Sequence, residues 1–311
     1  MNQAAYAAVD WGTSSFRLWL LDRAGQALAE RRSDEGMMAA AKSGFAAVLQ
    51  GHLAAVGAAP DLPVIICGMA GARQGWVEAG YVDTPAPLDA ILSGAVTVPG
   101  HVQTQVPGQS RDIRILPGIA QRDMNAPDVM RGEETQLLGA LGNDAAREAL
   151  VCMPGTHSKW AEVKDGAVTR FATFMTGELF SVISRETILS HAVAGTDAED
   201  REAFQEAVTA AFKRPALAAN LLFRVRSRQL LFGGRPAAAR DTISGTLIGL
   251  ELAGGLATDL PRERITLVAS GRLARLYRLA FDTVSIAVQS IDADEAVLAG
   301  LSRAATALWT R

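Results

Sequence analysis

Two short turns, 143 residues apart, constrain this chain more than any of its totals. The first lies in VDWGTSSFRLWLLD, Val9 to Asp22, where an apolar run ends on Asp10 and a crowded turn of Gly12, Thr13, Ser14 and Ser15 follows. The second lies in ALVCMPGTHSKWAEVKDGAVTRFATF, where an apolar run gives way to Gly155, Thr156 and His157. Short apolar runs bounded by Gly-rich turns predict β-strands. They are expected at Tyr6–Asp10, Phe16–Leu21 and Gln26–Arg31, and again at Ala149–Met153, Lys159–Val163 and Ala167–Phe174. The repeat distance is one domain length. The 311 residues therefore read as two related α/β halves, 1–144 and 145–311, each opening on a hairpin with a Gly-Thr tip.

The stretches between the hairpins fit such halves. Helical spacing is expected in SGFAAVLQGHLAAVG, in RGEETQLLGALGN with two acids in its first turn, and over Ala203–Phe212 and Thr242–Ala257. LPVIICGMAGARQGW reads as a buried strand feeding a glycine turn, and RITLVASGRLARLYRLAF as strand, turn and helix. A closing helix, about 293–309, is expected to pack back on the first half, and Gly80–Arg111 to be mostly irregular. Cys67 and Cys152, each in an apolar run before a glycine turn, read as buried thiols. A net charge of −3 gives no polyanion-binding surface, so no nucleic-acid partner is expected. No run approaches the roughly 18 apolar residues of a membrane span, and the reading is a cytoplasmic protein with no membrane partner. The P-loop, GxGxxG, HExxH and GxSxG patterns are all missing.

A turn of glycine and hydroxyl residues gathers backbone N–H and O–H donors in one concavity, which suits phosphate oxygens. An acid just before it can hold Mg²⁺ through the metal's own waters. Asp10 is thus the candidate metal residue, with Gly12, Thr13 and Ser14 as phosphate contacts. Gly155, Thr156 and His157 would form a second jaw on the same nucleotide. Each turn alone is also ordinary hairpin chemistry, and the pairing is what favours function. Lys159 could face phosphate or be a solvated cation; Arg17 could reach phosphate or cover the sheet.

These residues resemble the sugar kinase, heat-shock ATPase and actin-like superfamily, with LVASGRLARLY similar to its adenosine motif. Within it, DWGTSSFRLWL, GMAGARQGW, VMRGEETQLLGA, MPGTHSKW and MTGEL resemble the 2-keto-3-deoxygalactonate kinase family over essentially the whole chain. The resemblance implies an α/β, two-lobed actin-like (ribonuclease H-like) fold with duplicated mixed sheets and a central nucleotide cleft. It implies MgATP-dependent phosphorylation of the 6-hydroxyl of a 2-keto-3-deoxy sugar acid, in galactonate breakdown. The partner is then a small sugar acid, and a homo-oligomer is compatible with the sequence. A carboxylate opening the helix after glycine acts as base in related kinases; Glu133 matches best, with Glu134 beside it. Arg131, then Arg73, would meet the substrate carboxylate, and Trp76 would cover the sugar or pack in the core. Gly177 and Glu178 would border the sugar pocket, and Ser270 and Gly271 the nucleoside. Kinases of other sugars, and a nucleotide-switching ATPase without a sugar acceptor, are the alternatives.

Overall fold

The computed structural model describes residues 3–99, 110–142, 148–193, 198–258 and 265–309. The chain divides into two units, the first comprising Met1–Arg147, Lys164–Arg170 and Ala293–Arg311 and the second Glu148–Val163 and Phe171–Asp292. The boundary expected at residue 144 lies outside the described residues.

In the first unit β1 (Tyr6–Trp11) is buried at every position but Asp10, which suits a central strand. It pairs antiparallel with β2 (Phe16–Leu21), which pairs with β3 (Ala27–Ser33). Helices α1 (Met37–Ser43) and α2 (Phe45–Ala55) lead to β4 (Val64–Gly68), which returns parallel to β1. Then follow β5 (Tyr81–Asp83), β6 (Ala86–Pro87), α3 (Leu88–Ser93), β7 (Val96–Thr97), β8 (Ile113–Ile115), β9 (Gly118–Gln121), β10 (Asp128–Met130) and α4 (Glu133–Leu141). The main sheet runs β3-β2-β1-β4-β8-β7, and β10-β9-β5 form a smaller one. Residues 80–99 are therefore not mostly irregular. Their strands have only two or three residues, too short for alternation to register.

The second unit repeats this plan. Its elements are β11 (Ala149–Met153), β12 (Ser158–Lys164), β13 (Ala167–Phe174), α5 (Thr176–Glu186), α6 (Ser190–Val193), α7 (Arg201–Lys213), α8 (Ala218–Phe232), α9 (Pro236–Gly255), β14 (Ile265–Val268), α10 (Gly271–Thr283) and β15 (Val288–Ile291), with Lys164 of β12 and Ala167–Arg170 of β13 falling to the first unit. Its strands run β15-β14-β11-β12-β13. As in the first unit, the first strand pairs antiparallel with the second and parallel with the strand after the helices. The predicted duplication is thus a duplication of sheet order, 3-2-1-4-5 in both. Met153 stands two residues before Gly155, as Asp10 stands two before Gly12. No helix among the described residues is long and apolar enough to cross a membrane.

Each unit has its own core. Trp11 anchors the first, packing edge-on to Phe16 at 4.8 Å and beside Phe45 at 5.2 Å, directly under the first turn. Trp160, Tyr277 and Phe281 anchor the second. Cys67 and Cys152 are buried free thiols, as expected.

The closing helix α11 (Ala293–Trp309) belongs to the first unit and crosses α4 at very close range. A Cβ added to Gly139 would lie 1.9 Å from the Ala296 carbonyl oxygen, and one added to Gly300 2.0 Å from that of Thr135. The two backbones touch, so neither site can hold a side chain without moving a helix. Arg303 donates to the carbonyls of Leu138 and Gly142, satisfying orphan acceptors at the end of α4. Gly300→Ala should lower stability by about 1–3 kcal/mol, read as a lower urea midpoint with an unchanged slope.

Candidate active site

The C-terminal ends of β1 and β4 lie side by side, with Asp10 in register with Cys67 and Trp11 with Gly68. The chain turns sharply at Gly68, whose φ of 89° and position require glycine: a Cβ there would lie 2.6 Å from the Trp11 carbonyl oxygen. That close approach leaves room for the start of α4, since a Cβ on Gly132 would lie 3.6 Å from the Gly68 Cα. Two sequence-distant elements thereby bring Asp10, Glu133 and Glu134 into one electrostatic neighbourhood.

The three acids have different surroundings. Burial pushes the Asp10 carboxyl above its usual range; Arg17 and a long contact from the Cys67 thiol, 3.8 Å to Oδ1, oppose this, and Glu133 and Asp294 add to it. Glu133 is half-buried and its Oε2 accepts from the Arg131 backbone N–H at 3.1 Å. Glu134 is fully buried. Its Oε2 accepts from the Gly132 N–H at 2.7 Å and its Oε1 from the Thr135 hydroxyl at 3.2 Å. Burial, then Glu133, push Glu134 up to about 8.

The first turn is braced from below. Gly12 N–H donates to the Ser15 carbonyl, and the opening N–H groups of α1, from Met37 and Met38, donate to the carbonyls of Gly12 and Thr13. Thr13 and Ser14 are left exposed. A cavity of about 340 Å³ beside them is lined by Asp10, Ser15, Arg17, Arg32, Ser33 and Asp34. Arg17 pairs with Asp294 and lies 5.4 Å from the Trp19 ring.

Of the remaining first-unit candidates, Arg131 lies with its guanidinium 4.4 Å over the Tyr81 ring and donates to the Gly80 carbonyl at 3.1 Å. Its Nε and Nη1 are buried without a hydrogen-bond partner. Arg73 is exposed and has no ion pair among the described residues. Trp76 is half-buried, stacked on Phe45 at 6.1 Å and edge-on to Trp11.

In the second unit the Gly155–His157 turn meets the start of α5. Gly177 is needed for this, since a Cβ there would lie 2.5 Å from the Gly155 carbonyl oxygen. Glu178 N–H donates to the Thr156 carbonyl at 3.0 Å, and the Glu178 carboxylate lies 2.5 Å from His157 Nε2. His157 and Glu178, predicted for phosphate and sugar, are thus partners on an exposed surface. Lys159 is 5% exposed, which corrects its reading as a solvated cation: its position in β12 faces inward. Ser270 and Gly271 open α10, with free space beside Gly271. A cavity of about 340 Å³ follows along the same helix, lined by Arg272, Arg275, Leu276, Asp241 and Glu199 among others. A larger cavity, about 390 Å³ among α7, α8 and α9, holds none of the predicted residues.

A profile of the 2-keto-3-deoxy-galactonokinase family matches residues 10–304. The chain belongs to that family. Over 306 residues it is 59% identical to a Rhizobium meliloti (strain 1021) protein named "Probable 2-dehydro-3-deoxygalactonokinase DgoK1", covering 98% of this chain and 97% of the relative. It is 33% identical over 309 residues to the 2-dehydro-3-deoxygalactonokinase of Escherichia coli (strain K12), covering 98% and 99%. A crystal structure from Sinorhizobium meliloti, provisionally given the same name, is 58% identical with a TM-score of 0.92, covering 98% and 100%. Component A of an Acidaminococcus fermentans (R)-2-hydroxyglutaryl-CoA dehydratase, 11% identical with a TM-score of 0.50 over 96% of each chain, shares the fold alone. The fold is that of the actin-like ATPases and sugar kinases.

The galactonokinase motifs gave no sign of a second buried acid, Glu251. Its only signal was a single acid inside the apolar run TLIGLELAGG. The Glu133–Glu134 pair makes a pH prediction. Glu134 titrates near 4.5 when free and at about 8 when folded. Between these values the folded chain holds a proton that the unfolded chain has released, so this group makes stability fall as pH rises. Glu134→Gln removes the titration. Its melting temperature should fall less than the wild type's between about pH 5 and 8.

Proposed function

We propose that this chain transfers the γ-phosphoryl group of ATP to the 6-hydroxyl of 2-dehydro-3-deoxy-D-galactonate. The chain is a carbohydrate kinase of the galactonokinase family, and ATP is its phosphoryl donor. The observation that carries the chemical assignment is the unequal burial of two adjacent acids, Glu133 half-buried and Glu134 fully enclosed. A buried carboxyl that keeps its proton to about pH 8 cannot accept one at neutral pH, so Glu134 is not the base. Glu133, half-buried at the start of α4, is. The loose transition state of phosphoryl transfer asks the base only for late acceptance of the hydroxyl proton. Thr13 and Ser14 with Gly12 are assigned as phosphate donors, as are Gly155 and Thr156; Thr13, Ser14 and Thr156 are exposed.

Mg²⁺ suits this donor set. It keeps several waters and needs one or two carboxylates besides phosphate oxygens. Asp10, an oxygen donor whose ionisation is opposed by burial and by Glu133, would hold it. The bound ion would neutralise charge on the phosphate chain. Arg73, exposed near the turn after β4, meets the substrate carboxylate. Arg131, held over Tyr81 and donating to the Gly80 carbonyl, is the other candidate for it.

Glu133→Gln should lower kcat by two or more orders of magnitude, about the range expected for a lost general base, with an unchanged KM for ATP. Normal turnover would remove Glu133 from the chemistry. Arg73→Ala should raise the KM for the sugar acid about tenfold, as for a lost charge-assisted hydrogen bond, and leave that for ATP alone. Should Arg131→Lys do this while Arg73→Ala does not, the carboxylate belongs to Arg131. ATP consumption with 2-dehydro-3-deoxygalactonate but not with galactose or glycerol would establish the acid requirement; equal loss without any acceptor would overturn the kinase reading.

A further inference from the structure

Glu251 is 1% exposed on the 20-residue helix α9. A carboxylate this deep must be matched by donors, and the origin of its donors is informative. Oε1 accepts from the Trp160 indole at 2.9 Å and Oε2 from the Tyr277 hydroxyl at 2.6 Å. The Thr176 hydroxyl also hydrogen-bonds to it. The Tyr277 hydroxyl lies 3.2 Å from Ser158 Oγ, which accepts from the Gly155 N–H at 3.4 Å.

Three of these groups lie on segments that carry residues assigned to the nucleotide or sugar; Trp160 lies further along β12. Ser158 follows the Gly155–His157 turn. Thr176 is the first residue of α5 and precedes Gly177, whose backbone rests on Gly155. Tyr277 stands in α10, the helix opened by Ser270 and Gly271. One carboxylate thus gathers the phosphate turn, the α5 start and the nucleoside helix. A core that needed only packing would be served by apolar side chains at these points.

We propose that Glu251 and Tyr277 are positioning residues for the nucleotide, holding the Gly155–His157 turn and the opening of α10 in one fixed arrangement. This rests on the reading above that both segments contact ATP. Affinity for nucleotide, and not for sugar acid, depends on the Gly155–Ser158–Tyr277–Glu251 chain of hydrogen bonds.

The test compares Tyr277→Phe, Glu251→Gln and Thr156→Val in the full-length protein. The readouts are KM for ATP and for the sugar acid, kcat, and calorimetric binding of ADP. Tyr277→Phe removes one hydroxyl and keeps the ring, so the core stays filled. It should raise the KM for ATP and the Kd for ADP about five- to tenfold, the size of one ordinary hydrogen bond lost, with the sugar-acid KM changed less than about twofold. Glu251→Gln, which keeps one acceptor oxygen, should shift the same two constants in the same direction. Unchanged nucleotide constants in both variants, or equal changes for both substrates, would overturn the proposal. Thr156→Val separates the two levels. If it weakens ADP while Tyr277→Phe does not, only this inference fails; if it too leaves ADP binding unchanged, the phosphate-turn assignment fails and this inference with it.

Discussion

Three carboxyl groups, Asp10, Glu133 and Glu134, lie near the ends of β1 and β4, and burial, more than repulsion, sorts them. The innermost, Glu134, is enclosed and holds a proton; its two oxygens are spent on the Gly132 N–H and the Thr135 hydroxyl. That neutrality permits Glu133 and Asp10 to stand close without a third anion beside them. It also fixes the turn into α4, because Gly132 is held by the same carboxyl. The chemistry assigned to the site, a base and a cation-holding acid within one unit, depends on that one buried proton.

The second half lacks this feature. Its hairpin has the same sheet order, yet the residue matching Asp10 is Met153, buried at 3% exposure. It carries instead a buried carboxylate further back, Glu251, met by three donors. The two halves thus apply one architectural plan to different tasks. One gathers acids at its strand ends, and the other holds its buried acid among internal donors and offers backbone and hydroxyl donors at its turn.

The sequence was most informative where function is carried by local chemistry. The Gly-Thr turns, the strand order of the hairpins and the helix opening at Glu133 were legible because turn residues and apolar runs are short-range signals. The choice between Glu133 and Glu134 was not. Adjacent residues on a helix differ in direction by about 100°, and which one faces the interior depends on where β1 and β4 lie. Arg131 was read as the first partner for the substrate carboxylate; its stacking on Tyr81 was not legible, because it joins positions 50 residues apart. Lys159 followed a turn and looked solvated, but β12 turns it inward. The Glu251 cluster joins residues on four elements, which no spacing rule connects.

The crossing of α4 by α11 has a consequence for how the molecule is made. Gly139 and Gly300 are neighbours in space, while almost the whole second unit lies between them in the chain. The first unit is discontinuous, and its last helix is synthesised after everything it must enclose. The helix bearing Glu133 therefore cannot reach its final packing until the inserted unit has emerged. Such long-range closure slows folding and favours an order of events in which the inserted unit forms before α11 seats on α4.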